Sequence, residues 1–365
     1  MTIAFDAKRA FANKRGLGNY SRDVIRLMAQ YAPQNAYVLF GTPSPLFDPG
    51  QARVVSPQGL WRGFPALWRS RGCLEAMEGI DIYHGLSGEL PFGIHRKGVK
   101  TVVTIHDAIF IRYPQLYSAG YRKMFTKKVQ YACEHADLII AISEQTKRDI
   151  LEFFHADERK IRVVYQGCNN RFRESVSADC LAKVKAHYDL PEQYVLTVGA
   201  IEPRKNLKNL IEAMSIAHIE MPLIAVGGKS KYADEMADLA RMRGVDLRYL
   251  HNLPFEDLPA VYKGANVLCY PSIFEGFGIP ILEAMCIGTP VLTSTGSCFA
   301  ETGGDAALYA DPLDAGSIAR QLQSILTDET LRQTMIEQGH QQADKFTDEQ
   351  VANHLIQVYN ELCES

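Results

Sequence analysis

Short continuous runs of Val, Ile and Leu alternate with segments of helical period along most of this chain, and the alternation starts twice. The first series has strand candidates at Ile3–Asp6, Tyr37–Phe40, Ile80–Tyr83, Val99–Ile105, Leu138–Ile142 and Ile161–Tyr165. Helix candidates lie between them at Tyr20–Ala32, Tyr121–Ala136 and Glu144–Phe154, the last with Ser143 as its N-cap. The second series restarts at Tyr194–Val198 and passes through Leu223–Val226, Val245–Tyr249, Val267–Tyr270 and Val291–Ser294, with helical segments between. A strand that is apolar throughout needs cover on both faces, so these runs belong in parallel sheets flanked by helices. Each series is long enough for its own doubly wound sheet. The reading is α/β, with two Rossmann-like doubly wound domains at 1–170 and 171–346 and the polar stretch Gln166–Ser177 joining them. Two such domains facing across a cleft would bind ligands at the carboxyl ends of their strands.

The 365 residues suit about two domains. A net charge of −3 gives no global field to recruit nucleic acid. No apolar run reaches the roughly 18 residues of a bilayer span, and Met1–Asp6 reads as a first strand rather than a signal peptide. The eight cysteines are scattered without a Cys-x-x-Cys pair, as for reduced thiols in the cytoplasm. No ligand spacing for a metal is evident, so neither metal nor cofactor is expected.

The most informative stretch is Tyr270–Glu283. Gly276, Phe277 and Gly278 lie between a strand and a helix that opens near Pro280. A glycine turn into a helix start presents backbone N–H groups and a positive dipole end, which suit phosphate. Glu275 and Glu283 suit hydroxyl groups, as on a ribose and a sugar, although each could also be a turn or dipole residue. Upstream, Gly199 ends a strand, and Arg204 and Lys205 follow before the helix near Asn206. A basic pair at a sheet mouth can grip a diphosphate; otherwise it is a solvated loop. Gly16 and Gly18, in Arg15–Tyr20, read as a loop able to approach a ligand closely. His106 and Asp107 end the Thr101–Ile105 run on the same side, either for a sugar hydroxyl or as a cap and a turn. His84-Gly85 is a similar, weaker case.

Both tryptophans fall in Leu60–Gly72, interleaved with arginines, and Arg122, Lys123, Lys127 and Lys128 form a further basic face. Such a surface suits a lipid interface or an acceptor groove. A packed helix with snorkelling arginines is the simpler expectation.

These residues resemble the family 4 glycosyltransferases, retaining enzymes of the GT-B fold that use nucleotide-sugar donors. The resemblance rests on Arg15–Tyr20, Thr104–Asp107, Ile140–Ser143, Val198-Gly199, Arg204–Asn206 and Glu275–Glu283, and covers nearly the whole chain. It implies that Glu283 binds the donor ribose and Glu275 a hydroxyl of the transferred sugar. Arg204 and Lys205 would hold the diphosphate with amides near Gly276, Phe277 and Gly278, and the base would lie near Tyr249–Leu253. Gly16 and Gly18 would close a loop over the donor, and His106 would touch the sugar. The final helix, in 347–365, would pack back on the first domain.

The function so implied is transfer of a hexose from a nucleoside-diphosphate sugar to a hydroxyl of a glycan or lipid-linked acceptor, with the anomeric configuration retained. A mannose-type donor on GDP ranks first, and UDP-linked sugars follow. The acting groups would be Arg204, Lys205, Glu275 and His106. The expected setting is the cytoplasm, with peripheral contact at the inner membrane face left open. The alternatives are a GT-B-fold nucleotide-sugar epimerase and a non-catalytic nucleotide-sugar sensor.

Overall fold

The computed structural model describes residues 1–364. The chain divides into two compact units, Met1–Gln166 together with the segment from Asp348 onward, and Gly167–Thr347. The first contains β1 (Thr2–Asp6), β2 (Ala36–Phe40), β3 (Arg53–Val55), β4 (Ile82–Gly85), β5 (Lys100–Ile105), β6 (Leu138–Ala141) and β7 (Ile161–Val163). The second contains β8 (Val195–Val198), β9 (Leu223–Val226), β10 (Leu247–Leu250), β11 (Val267–Tyr270), β12 (Val291–Ser294) and β13 (Ala307–Ala310).

All strands of both sheets run parallel. The first sheet is ordered β3-β2-β1-β4-β5-β6-β7 and the second β10-β9-β8-β11-β12-β13. Both are doubly wound Rossmann-like sheets, and both reverse direction beside their first strand. The reversal falls between β1 and β4 in one sheet and between β8 and β11 in the other. There the connections leave in opposite directions and open a crevice at the strands' carboxyl ends. Each sheet has its own apolar core, with Phe40, Trp68 and Tyr83 in the first and Leu210, Met214 and Leu322 in the second.

Several expectations shift. The strand β3 was not foreseen, because three residues carry too little periodicity to register. β4 and β10 each begin two residues later than the apolar runs suggested. The Gly16-x-Gly18 segment is not a loop: the helix Gly16–Tyr31 starts there, four residues before the sequence estimate. Gly18 is required by close packing, since a Cβ at that position would lie 1.8 Å from the Asn13 carbonyl oxygen. The division between the units falls at Gln166, where the polar joining stretch begins, and Phe172 within that stretch is fully buried.

The helix Asp348–Glu364 belongs to the first unit and packs on the helix Gly16–Tyr31. Arg26 reaches Asp348 at 2.8 Å, and Arg162 pairs with Glu361 at 2.9 Å. Tyr359 is buried with its hydroxyl 2.7 Å from His84 Nδ1. His84 Nε2 lies 2.8 Å from Thr104 Oγ1, which in turn meets the Tyr20 hydroxyl at 3.0 Å. A buried polar chain thus links the last helix to the interior strands, as buried polar groups require.

In the Trp-rich segment, Trp68 is buried. Arg69 is also buried and binds Asp6 at 3.2 Å and Glu89 at 2.9 Å. The packed reading therefore holds for these two, whereas Leu60, Phe64 and Leu67 stay exposed. Among the described residues no helix is long and apolar enough to cross a membrane. Cys180 and Cys363 are exposed thiols.

Candidate active site

The switch point of the second sheet gathers the residues singled out around Gly199 and Glu275. Gly199 closes β8, and a short 3-10 turn over Pro203–Lys205 follows. Asn206 then takes a left-handed conformation, φ 61°, which asparagine tolerates better than most side chains. Its Nδ2 donates to the carbonyls of Pro271 at 3.0 Å and Pro312 at 2.6 Å. The Ile273 amide donates to the Arg204 carbonyl at 2.9 Å. These bonds hold the loop after β8 against the loop after β11.

Across that seam the charges meet. Lys205 Nζ donates to Glu275 Oε1 at 2.6 Å and to the Tyr270 hydroxyl at 2.6 Å, and lies 4.8 Å from the Tyr270 ring centre. Arg204 Nη1 reaches Glu275 Oε2 at 2.7 Å, while Nη2 donates to Glu202 at 2.7 Å. Glu275 is 8% exposed. Burial alone would raise its pKa, but Lys205 and Arg204 outweigh burial and bring it down to about 2. Burial lowers the Lys205 ammonium from its usual value, against the pull of Glu275. Burial also acts against the Arg204 charge, yet Glu275 raises its pKa overall. Two cations are thus balanced by two carboxylates, the buried Glu275 and the more exposed Glu202.

Beside them the helix Ile279–Ile287 begins, with Gly278 at its N-cap in a left-handed conformation, φ 100°, and no side chain capping it. A glycine is needed there because a Cβ at that φ is strained. Phe277 is buried and packs on Phe346 at 5.5 Å, so only its backbone could meet a ligand. The turn is clamped from behind. Ser297 Oγ accepts from the Glu275 amide at 3.2 Å and donates to its carbonyl at 3.0 Å. Thr302 donates to the Phe277 carbonyl at 2.6 Å.

Glu283, one turn into that helix, is buried but shares no hydrogen bond with Glu275. The Tyr262 hydroxyl donates to its Oε2 at 2.7 Å. Burial pushes the carboxyl up to about 7, opposed by that hydroxyl. The structure thus brings Arg204, Lys205 and Glu275 into one contact set and gives Glu283 a different partner. Tyr270, Tyr262 and Ser297 were not assigned from the sequence. Tyr270 stood inside the quoted stretch, but the other two lie away from any recognisable pattern.

His106, Gly16 and Gly18 belong to the first unit. His106 follows β5 and donates from Nε2 to the Leu86 carbonyl at 2.9 Å, its ring edge-on to Tyr20 at 4.6 Å. Burial lowers its pKa to about 4, opposed by the Leu86 bond, so the ring is neutral at physiological pH.

Two family models match the chain, Glycosyltransferase Family 4 over residues 15–171 and Glycosyl transferases group 1 over residues 183–342. The O-antigen chain mannosyltransferase B of Escherichia coli is 32% identical over 285 residues, 76% of this chain and 74% of that protein. The chain belongs to the family 4 glycosyltransferases. The O-antigen chain mannosyltransferase RfbU of Salmonella typhimurium is 31% identical over 230 residues, 61% of this chain and 60% of that protein. The crystal structure of Anabaena HepE with UDP and glucose has the same fold, with a TM-score of 0.79 at 17% identity, over 99% of this chain and 100% of that one. This family 4 enzyme therefore has the GT-B architecture and transfers a glycosyl group from a nucleotide sugar. The epimerase and sensor readings are not favoured.

Proposed function

We propose that the enzyme moves a hexose from a nucleoside-diphosphate sugar to a hydroxyl of a growing glycan or lipid-linked saccharide, with retention at the anomeric carbon. Mannose carried on GDP is the first donor to consider, because the two mannosyltransferase relatives named above align over 76% and 61% of this chain. UDP-linked sugars come next, as the solved neighbour binds UDP and glucose.

The observation that carries the reading is the contact set of Arg204, Lys205 and Glu275 beside the uncapped helix start at Gly278. In the reaction, negative charge builds on the departing diphosphate while the sugar becomes oxocarbenium-like. Arg204, Lys205 and the backbone at the helix start are preorganised to take that charge. In the unliganded enzyme Glu275 is the counterion they share, and Glu202 also pairs with Arg204. An arriving diphosphate takes over part of this pairing and releases the carboxylate toward a sugar hydroxyl. Glu283, one turn into that helix, binds the ribose diol. The acceptor hydroxyl attacks from the leaving group's own face and passes its proton to the diphosphate. With two cations at hand, the proposal includes no metal.

A peripheral membrane contact through the first unit is part of the same proposal. Leu60, Phe64 and Leu67 are exposed next to Arg62 and Arg71, a combination suited to an anionic interface. Cosedimentation with anionic vesicles tests it; no pelleting at low salt removes it.

The decisive experiment is a thermal-shift screen of GDP, UDP and other nucleoside diphosphates, followed by transfer assays with the matching sugars. A ligand bound only by the folded state raises the midpoint by mass action. A midpoint unmoved by every nucleoside diphosphate would overturn the donor reading.

A further inference from the structure

Two sulfurs meet on the helix that opens the candidate active site. Cys168 and Cys286 are 118 positions apart in the chain, yet their Sγ atoms lie 3.2 Å apart. Both are free thiols, Cys168 buried and Cys286 partly exposed. Cys286 sits in the last turn of the helix Ile279–Ile287, three residues beyond Glu283 and so on a neighbouring part of the same face. Cys168 stands just before a short 3-10 turn, Asn170–Phe172, that packs on that helix.

Packed side chains connect the pair to Glu283. Phe172 meets the Tyr262 ring edge-on at 5.5 Å, and the Tyr262 hydroxyl donates to Glu283. The Glu283 carboxylate in turn opposes ionisation of both sulfurs.

The two thiols are not equivalent. The Cys168 thiol donates to Cys286 and lowers the Cys286 pKa, with Arg173 acting in the same sense and burial against it. That bond, together with burial, holds Cys168 well above the ordinary thiol value. Cys286 is therefore the sulfur that ionises, and the thiolate is the form that attacks an oxidant.

We propose that Cys168 and Cys286 are a reversible redox switch, closed by peroxide into a disulfide that shifts Glu283 and disables the nucleotide-sugar site. The effect on the site rests on the glycosyltransferase reading; formation of the bond does not. The Cys286 thiolate attacks one oxygen of hydrogen peroxide, the O–O bond breaks, and the departing hydroxide takes up a proton to leave as water. The Cys168 sulfur then attacks the Cys286 sulfenic acid, whose hydroxyl leaves with the Cys168 proton as a second water. Two thiols are oxidised and one peroxide is reduced. A thiol reductant reverses the bond by exchange. A pair of this kind stays open in a reducing compartment and closes under oxidant. Closing it brings the sulfurs from 3.2 Å to bonding distance, an approach of about 1 Å. A close-packed interior passes such a shift on, here to Tyr262 and Glu283.

The test uses the full chain, with hydrogen peroxide as oxidant and dithiothreitol as reductant. Peroxide-treated wild type, digested without reductant, is expected to yield a Cys168–Cys286 linked peptide, two hydrogens lighter than its parts. Turnover and nucleoside-diphosphate affinity should fall about tenfold or more as it forms, and return with dithiothreitol. Reduced Cys168→Ala and Cys286→Ala should match reduced wild type. In peroxide, Cys286→Ala should keep its turnover, and Cys168→Ala should accumulate a Cys286 sulfenic acid that dimedone labels. Absence of the linked peptide would overturn the proposal, as would a linked enzyme with normal turnover or an equal peroxide loss in Cys286→Ala. Should reduced wild type bind no nucleoside diphosphate, the donor reading falls by itself. The linked peptide then still decides the disulfide: its presence supports the bond, and its absence refutes it.

Discussion

Lys205 donates to Glu275 across 2.6 Å, joining two loops whose residues are 70 positions apart in the chain. The bond is buried, so neither charge is free of the other in the empty enzyme. Any anion that enters must compete with a carboxylate already in place, which disfavours weak monovalent anions and favours a multiply charged one.

If Arg204 and Lys205 stabilise the departing diphosphate, Arg204→Ala and Lys205→Ala should each lower turnover by about a hundredfold or more, as loss of an oxyanion donor does. Steady-state kinetics on the purified variants check this. Near-normal turnover in both would reject the role.

Removing Glu275 leaves the buried Lys205 without a carboxylate partner and Arg204 with Glu202 alone. Glu275→Ala should destabilise the enzyme by about 3–5 kcal/mol, the usual cost of breaking a buried pair. A nucleoside diphosphate should then raise the thermal midpoint more in the variant than in the wild type, because it supplies the missing negative charge. Equal ligand-induced shifts would count against a shared site.

The Glu283 carboxyl is held at about 7, above its ordinary 4.5. Its contribution to stability is therefore full below about 4.5 and lost as pH rises to about 7. Binding runs the other way, since a ribose diol donates to the ionised form. Nucleotide affinity should fall as pH drops through 7, approaching about tenfold per unit well below it. Calorimetry on Glu283→Gln should show a flat profile over the same range; a wild-type slope in that variant would assign the titration elsewhere.

With Arg204 and Lys205 as the charge-stabilising groups, excess EDTA should leave turnover unchanged. Loss of activity that magnesium restores would contradict this.

Tyr359→Phe should cost about 1–3 kcal/mol, because it leaves His84 Nδ1 buried and unpaired. Chemical denaturation measures it. A change confined to well below 1 kcal/mol would mean that water replaces the hydroxyl.

Much of this arrangement was legible in the residues. The Val/Leu runs at β8 and β11 were plain, and strand order then placed Gly199, Arg204 and Glu275 at one crevice. What stayed hidden has specific causes. The Glu275 pairing joins residues 70 apart, and spacing says nothing about such partners. Glu283 finds Tyr262 on a neighbouring helix, again without a local signal. The glycines of Gly16-x-Gly18 suggested an open loop, but tight packing on Asn13 explains Gly18. The three residues of β3 were too few to show alternation.

The segment from Asp348 onward completes the first unit although it is made after the second. During synthesis the earlier part must wait while Gly167–Thr347 emerges, about 10–35 s at ordinary ribosome speeds. Through that interval His84 and the face of the Gly16–Tyr31 helix lack their cover. The nascent chain thus carries a temporary sticky surface that only its own tail can seal.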